Sequence, residues 1–392
     1  MKALAKNFSM LLLVMSIAFQ CQHSSQARAS QLFEWNTNAN RAEALPVVHS
    51  PIYDRLDSFF QSRHKYGQFN GTVLVAKGDK VYYQGAFGYE NFTTKDTLST
   101  LSSFQLASVS KTFTATAVLH LVEKGLISLE DTLGSFFPNF PYRNVRVKDL
   151  LSHRSGLPNY LYFCNALWDA RKGYMSNDDL IAIMQKHPRL EGTYKPNTRF
   201  EYSNTNYALL ASIVERVTGE PFPQYMKETF FVPLGMKNTW VFDARGKTPA
   251  KYALSYGANC VKQKDDPYDG IYGDKGIYSS AADMYRWNLS FYQNTLIGSV
   301  MQKEAYSPQS FERPGVRNYG YGWRLIKQPD NTYTVYHNGW WHGNNTVFYR
   351  NIQDSLTVII LSNRFNKSVY NVQPIFKLIS ASSGEMLAEA EE

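Results

Sequence analysis

The sequence predicts an α/β chain of the α+β type: an antiparallel sheet flanked by helices and interrupted by a large, mostly helical insertion. Three observations predict it. Strand-like runs gather at both ends of the main body, a long stretch between them carries helical spacing, and a closing amphipathic segment follows the last strand. Two halves packed in this way leave a cleft between them, the usual place for a ligand.

A helix comes first. "PIYDRLDSFFQSRHKY" has apolar residues at helical spacing. "GTVLVAKGDKVYYQGAFGYEN" follows as a hairpin, two β-rich runs joined by Lys77-Gly78-Asp79-Lys80. "SKTFTATAVLHLVEKG" predicts a strong helix, with Ala115, Val118, Leu119 and Val122 on one face and Gly125 as its stop. From about 129 to 294 the pattern is helical and loop-like, clearest in "VKDLLSHRSGLPNY", "YALLASIVERVTGEPF" and "SAADMYRWNLSFY". Strand signals return in "YGYGWRLIK", "TYTVYHNG", "NTVFYRN" and "SLTVIILSN", and "VYNVQPIFKLISA" closes as a helix. One catalytic unit is therefore expected over 45–384. Its sheet comes from about 50–100 and 315–384, its helical region is about 101–314, and residues 385–392 form a flexible acidic tail.

Composition bounds the function. Hydrophobic residues make up 44% and charged residues 19% of 392, a globular balance. Aromatics reach 15%, enough to line a cleft as well as fill a core. The net charge of +8 is scattered, without a basic run, so nucleic acid is not an expected partner. No His or Cys spacing suits a metal, and no cofactor motif occurs. A metallohydrolase would need His153, His337 and His342 to meet in space without any supporting spacing.

The N-terminus predicts export. "MKALAKN" is basic and "FSMLLLVMSIAF" is an apolar core of twelve residues, too short for a mature spanning helix. A signal peptide over 1–29, ending at "ARA", competes with one over 1–20 that leaves Cys21 as a lipid-anchored first residue and membrane tether. Either route delivers the protein to the periplasm or the outer side of a membrane. Cys164 and Cys260 would then meet an oxidising compartment and could form one disulfide.

The candidate chemistry starts at "FQLASVSKTF". Residues three apart share a helix face, so Lys111 can reach the hydroxyl of Ser108, and a helix start supplies free backbone N–H groups. Two Ser-x-x-Lys matches occur, about the number expected by chance, and Ser62–Lys65 lies late in the first helix. Ser108 instead opens a helix; the bland reading makes it a cap and Lys111 a solvated first-turn residue. Six Tyr-x-Asn triplets occur, and Tyr202-Ser203-Asn204 stands out because it occupies a polar turn directly before a helix. A phenol there can take a serine proton when a nearby ammonium favours its ionised form. His337-Asn338-Gly339 is the one His-x-Gly, after a strand, and Gly339 lets backbone approach a substrate closely.

These three elements stand in the order of the penicillin-recognising serine enzymes. The chain resembles one branch of them, the class C β-lactamase, penicillin-binding D,D-peptidase and esterase family, over roughly Phe69 to Asn363. "FQLASVSKTFTATAVLHLVEKGLISLEDTL", "LLSHRSGLPNY", "FEYSNTNYALLASIVERVTGEPF", "PLGMKNTW" and "GDKGIYSSAADMYRW" carry the resemblance. It implies a β-lactamase/transpeptidase-like fold with Ser108 as acylated nucleophile and Lys111 and Tyr202 as the proton-transfer pair. Asn204 would orient the substrate amide. His337, with Gly339 beside it, would place a substrate carboxylate or carbonyl. The backbone N–H groups of Ser108 and Trp340 would form the oxyanion hole. The sequence departs from the family's pattern at Asn338, where a small residue is usual, and in "WWHGNN", where Trp340 and Trp341 would narrow the cleft, stack on substrate, spoil the pocket or simply be core or rim residues.

The function expected is an exported serine hydrolase that cleaves amide or ester bonds through an acyl-enzyme, with D-amino-acid peptides, small esters or β-lactams as substrates. The alternative is a non-catalytic binding or structural protein on the same scaffold.

Overall fold

Apolar alternation builds the main sheet of this chain, whose computed structural model describes residues 45–246, 248–249 and 251–380. The export segment over 1–29, Cys21 and the tail at 385–392 lie outside the described residues. Among those described, no helix is long and apolar enough to cross a membrane.

The main sheet has seven strands: β1 (Gly71–Lys77), β2 (Lys80–Phe87), β3 (Arg317–Tyr319), β4 (Arg324–Lys327), β5 (Tyr333–Trp341), β6 (Asn344–Asn351) and β7 (Leu356–Ser362). Their spatial order is β2-β1-β7-β6-β5-β4-β3, antiparallel throughout. The sheet is therefore assembled from both ends of the chain, as predicted, with β1 against β7 as the seam. Register there pairs Val73 with Ile360 and Leu74 with Ile359. Because side chains alternate, Val73, Val75, Val358 and Ile360 face one side, while Leu74, Ile359 and Leu361 face the other.

Helices cover both sides, which is why these strands read as continuous apolar runs. Helix α1 (Pro51–Lys65) starts at a proline, whose missing N–H costs nothing in the first turn, and buries Ile52, Leu56 and Phe60 on the outer face. The closing helix α5 (Gln373–Ser380) adds Ile375 and Ile379 to the same cluster. On the inner face lie α2 (Ser110–Glu123), α3 (Asn204–Thr218) and α4 (Ala281–Tyr292). Gly219 ends α3 in the left-handed conformation at φ 73°, and the Ser280 hydroxyl caps α4 by accepting from Asp283 N–H.

Three expectations change. Helix α2 is not one-faced: every residue from Ser110 to Leu119 is buried, so it is a central helix whose threonines must find partners inside. Thr112 donates to Val109 O in the preceding turn, Thr116 to Thr112 O a turn back in its own helix, and Thr114 across to Gly273 O at 2.7 Å. Ser108 does not open α2 but sits just before it, in a single tight turn at Ala107–Val109. Cys164 and Cys260 are both free thiols, Cys164 buried and Cys260 beside Arg364.

A small sheet escaped the sequence because its strands are too short to show a period. Phe104–Gln105 and Trp240–Val241 both pair with Ile277–Ser279. It ties the residues before Ser108 to the segment after Lys275.

The inner core fixes α2. Trp287 of α4 is fully buried and stacks on Phe113 at 4.1 Å between ring centroids. Trp287→Ala is expected to cost roughly 3–5 kcal/mol, measured as a lower urea midpoint with unchanged slope.

Candidate active site

Ser108 is held by the turn around it. Ala107 has φ 50°, in the left-handed region, which costs a residue with a Cβ roughly 1–2 kcal/mol and needs support from its surroundings. Support comes from both sides. Leu106 N–H donates to Ile277 O at 2.8 Å, and Leu106 O accepts from the Thr346 hydroxyl at 2.6 Å. Gly339 presses against the same turn: a Cβ there would stand 2.2 Å from Leu106 O and 3.1 Å from the Ala107 Cβ. Any side chain at 339 would therefore drive β5 away from Ser108, so glycine is required by packing.

Lys111 is fully buried. Its Nζ lies 3.1 Å from Ser108 Oγ, 2.8 Å from Asn204 Oδ1 and 2.8 Å from the Asp274 carbonyl. It also stands over the Tyr202 ring at 5.0 Å and the Tyr207 ring at 5.7 Å. The bland reading of a solvated first-turn lysine fails on burial alone.

The Tyr202–Asn204 turn is fixed by the loop at 153–160. Ser203 N–H donates to His153 Nδ1 at 3.2 Å, and Thr205 Oγ1 donates to Pro158 O at 2.6 Å while accepting from Tyr160 N–H at 2.8 Å. Ser203 occupies the N-cap position of α3 but its hydroxyl caps nothing, donating instead to Pro158 O. The Asn204 side chain also leaves the helix end, turning its carbonyl to Lys111.

Ser108, Tyr202, Asn204, Gly339 and Trp340 line one cleft of about 1550 Å³. The same void continues past Tyr336 and Tyr349 to Phe376 and Ile379 on the outer face of the main sheet, so only part of that volume belongs to the site. His337 does not line it. Expected to help place a substrate group, it is fully buried instead, with both ring nitrogens taken by the protein. Nδ1 donates to Asn338 O at 2.8 Å, so Nε2 accepts from the Tyr319 hydroxyl at 3.1 Å. Its ring stands 6.4 Å from that of Tyr202. Burial, then the charges of Arg324 and Lys111, hold its pKa well below the ordinary histidine value. His153 is similar: Nδ1 accepts from Ser203 N–H and Asn206 Nδ2, and burial keeps the ring neutral.

Sequence reasoning missed three cleft residues. Arg324 projects from β4 over the Tyr202 ring at 5.3 Å, and among the described residues its buried Nε has no hydrogen-bond partner. Asp274 and Lys275, in the "GDKG" turn, face Ser108 from the opposite wall. Nothing in a lone arginine on a short strand, or in one acid–base dipeptide, signals such a position before the chain is folded.

The two tryptophans form a rim. Trp340 is 57% exposed and its indole N–H donates to His342 O at 3.0 Å. Trp341 lies over Lys275 at 4.8 Å and donates to Asp269 Oδ1 at 2.6 Å. His342 Nε2 pairs with Asp269 Oδ2 at 2.9 Å, which raises the histidine pKa against the opposing effect of burial. Asp266, Asp269 and His342 bring ligand atoms within 4.8 Å of one another. Asp269 accepts from the Trp341 indole, from His342 Nε2 and from Asp266 N–H, which ties the rim together.

With this geometry in view, comparison with known proteins is specific. The Beta-lactamase family model matches residues 56–378. Penicillin-binding protein 4* of Bacillus subtilis (strain 168) is 36% identical over 337 residues, covering 82% of this chain and 74% of that protein. Among solved structures, the penicillin binding protein from Bacillus halodurans superposes with a TM-score of 0.70 at 23% identity, covering 86% of this chain and 99% of that one. The D-amino acid amidase from Ochrobactrum anthropi SV3 gives 0.72 at 20% identity, with 85% and 100% covered.

The buried neutral histidines make stability depend on pH. His153 and His337 have folded pKa values below the unfolded value, so below about 6.5 the unfolded chain binds more protons and the fold loses stability. Each is expected to contribute a loss of about 1.4 kcal/mol per pH unit below that point. Urea midpoints at pH 7, 6 and 5 check this, and His337→Gln is expected to flatten the slope.

Proposed function

This chain belongs to the Beta-lactamase family of serine hydrolases, and from that premise we propose that it is an exported enzyme cleaving amide or ester bonds through an acyl-enzyme on Ser108. The substrate class we infer is carboxylate-bearing D-amino-acid peptides, with β-lactams as reactive mimics. The observation that carries this reading is the hydrogen bonding of Lys111.

Asn204 Oδ1 and Asp274 O can only accept, so both receive N–H from Lys111 Nζ whatever its charge. A neutral amine has two N–H bonds and one lone pair. With both N–H bonds so engaged, the lone pair faces Ser108 Oγ at 3.1 Å and takes its proton. The ammonium that results has a third N–H for the same oxygen. The site therefore holds both protonation states without moving a heavy atom, which is what a proton relay needs.

Attack by Ser108 Oγ on the substrate carbonyl carbon forms the tetrahedral adduct. The backbone N–H groups of Ser108 and Trp340 are the proposed oxyanion donors, worth about 3 kcal/mol each in such sites. Their spacing is set by Gly339 against Leu106. Tyr202, beside the Lys111 ammonium, passes a proton to the leaving amine or alcohol and regains one from Lys111. Water then attacks the ester carbonyl and returns Ser108 with its proton. Asn204 offers its amide N–H to the substrate while its carbonyl holds Lys111. His337 serves from behind, as a wall for Tyr202.

Arg324 supports the substrate class. A guanidinium at the cleft wall, with Nε unused among the described residues, is shaped for bidentate recognition of a terminal carboxylate. The name of the B. subtilis relative supports reactivity with penicillins. The basic and apolar N-terminus supports export, through either a cleaved signal or a lipid on Cys21.

Labelling tests the nucleophile. A fluorescent penicillin or a fluorophosphonate is expected to add one acyl or phosphonyl mass to Ser108. Ser108→Ala removes it, and Lys111→Met slows it by about 10³-fold or more. Labelling that survives Ser108→Ala sinks the assignment. Arg324→Met is expected to raise KM for a peptide with a free D-alanyl carboxylate by about 10–100-fold, and to leave the corresponding methyl ester unaffected. Equal losses on both substrates would remove Arg324 from substrate recognition.

A further inference from the structure

The turn at 273–276 places an acid and a base side by side in the interior, between two glycines. Gly273 has φ 100° and Gly276 φ 90°. A Cβ on Gly273 would stand 2.3 Å from Tyr207 O and 2.7 Å from the Ala211 Cβ, so the turn is pressed onto α3. Thr114 of α2 donates to Gly273 O at 2.7 Å from the other side. Gripped between these helices, the turn directs the Asp274 carbonyl at Lys111 Nζ.

Its side chains close a ring. Tyr160 O–H donates to Asp274 Oδ2 at 2.9 Å, and the same phenol oxygen accepts from Lys275 Nζ at 2.6 Å. Lys275 Nζ donates also to Ile271 O at 3.2 Å and stands 3.7 Å from Asp274 Oδ1. Asp274, Tyr160 and Lys275 are all buried, and the Lys275 ammonium lies beneath Trp341. Removing two charges from water costs several kcal/mol per ion, and an apolar pair would pack at no such cost. A purely structural turn has no need of this arrangement.

We infer that Asp274 and Lys275, with Tyr160, act as a positioning device that sets the orientation and the local charge seen by Lys111. This rests on Lys111 serving Ser108 as proposed above. Asp274 supplies two things: a backbone acceptor that orients the amine, and a carboxylate whose charge Lys275 offsets. Lys111 therefore meets an oriented dipole beside an ion pair of no net charge. Lys275 is a positioning residue and touches no reacting atom.

The charge logic separates this role from a structural one. Without Lys275, the Asp274 carboxylate stands uncompensated and holds the Lys111 ammonium, so proton acceptance from Ser108 needs higher pH. Without the Asp274 carboxylate, the Lys275 charge acts alone and favours proton loss from Lys111. The other groups facing this space stay the same in all variants: Tyr160, Asp266, Asp269 and His342 on the rim side, and Tyr202, Arg324, His153 and His337 behind Lys111.

The test is the pH dependence, from 5 to 10, of the second-order rate constant for acylation of the full chain by a fluorescent penicillin. Lys275→Met is expected to move the rising limb to higher pH by about one unit or more, and Asp274→Asn to move it lower. The double variant, in which both charges are gone, keeps the wild-type limb but acylates about tenfold more slowly at every pH, because the carbonyl is no longer held. Folded single variants whose limbs do not move, or move the same way, overturn the inference. Where a single variant does not fold, the double variant decides: acylation at the wild-type rate overturns it. A wild-type chain labelled anywhere but Ser108 overturns the reading beneath the inference and the inference with it, so peptide mass mapping precedes the series and tells that failure from one of the Asp274–Lys275 device alone.

Discussion

One buried amine organises this molecule. Lys111 cannot reach water, so each of its N–H bonds must end on protein, and the three acceptors come from three distant parts of the chain. Ser108 stands one turn before it, Asn204 begins α3, and Asp274 belongs to the turn shortly before α4. Leaving an ammonium buried without these acceptors would cost several kcal/mol. Satisfying the ammonium therefore draws α2, α3 and the 273–276 turn to one point, and that point lies beside the serine hydroxyl. The same bonds that make burial tolerable fix the direction of the amine beside Ser108.

A second constraint comes from steric fit. The main sheet brings β5 hard against the Ala107–Val109 turn. Gly339 permits this, because its missing side chain lets Leu106 O and Thr346 Oγ1 occupy the space a Cβ would fill. The left-handed Ala107 is tolerated because Leu106 before it is held twice, by Ile277 of the small sheet and by Thr346 of β6. Strain beside Ser108 is thus supported by bonds from two residues that lie more than 150 positions away in sequence.

The polar residues around the cleft divide by what faces them. His337 and His153 were open as substrate or metal residues while only their chemistry was known. Each sits behind Tyr202 among aromatic rings, where burial favours the neutral form; His337 Nε2 accepts from Tyr319, and His153 Nδ1 accepts from Ser203 and Asn206. Arg324 was one of many arginines, and only the pairing of β4 with β5 brings it over Tyr202. Trp340 and Trp341 are neither obstruction nor core: bonds from their indoles to His342 O and Asp269 turn them into the rim of an open cleft.

Local physics made much of this legible in advance. The first helix α1, the Lys77–Lys80 hairpin, the Gly125 stop of α2 and the strands of the second half each follow from near neighbours in sequence, so spacing and turn residues determined them. The Ser108–Lys111 pair was legible for the same reason, since three residues is a helix-turn distance. Nothing local could show that α2 is buried on all sides, that Cys164 and Cys260 stay apart, that His337 turns inward, or that Asp274 and Lys275 close on Tyr160. Those outcomes depend on which surfaces meet when segments a hundred or more residues apart pack together. Burial and long-range hydrogen bonding, unlike spacing, are properties of the assembled fold, and they decide which of the candidate residues reach the cleft.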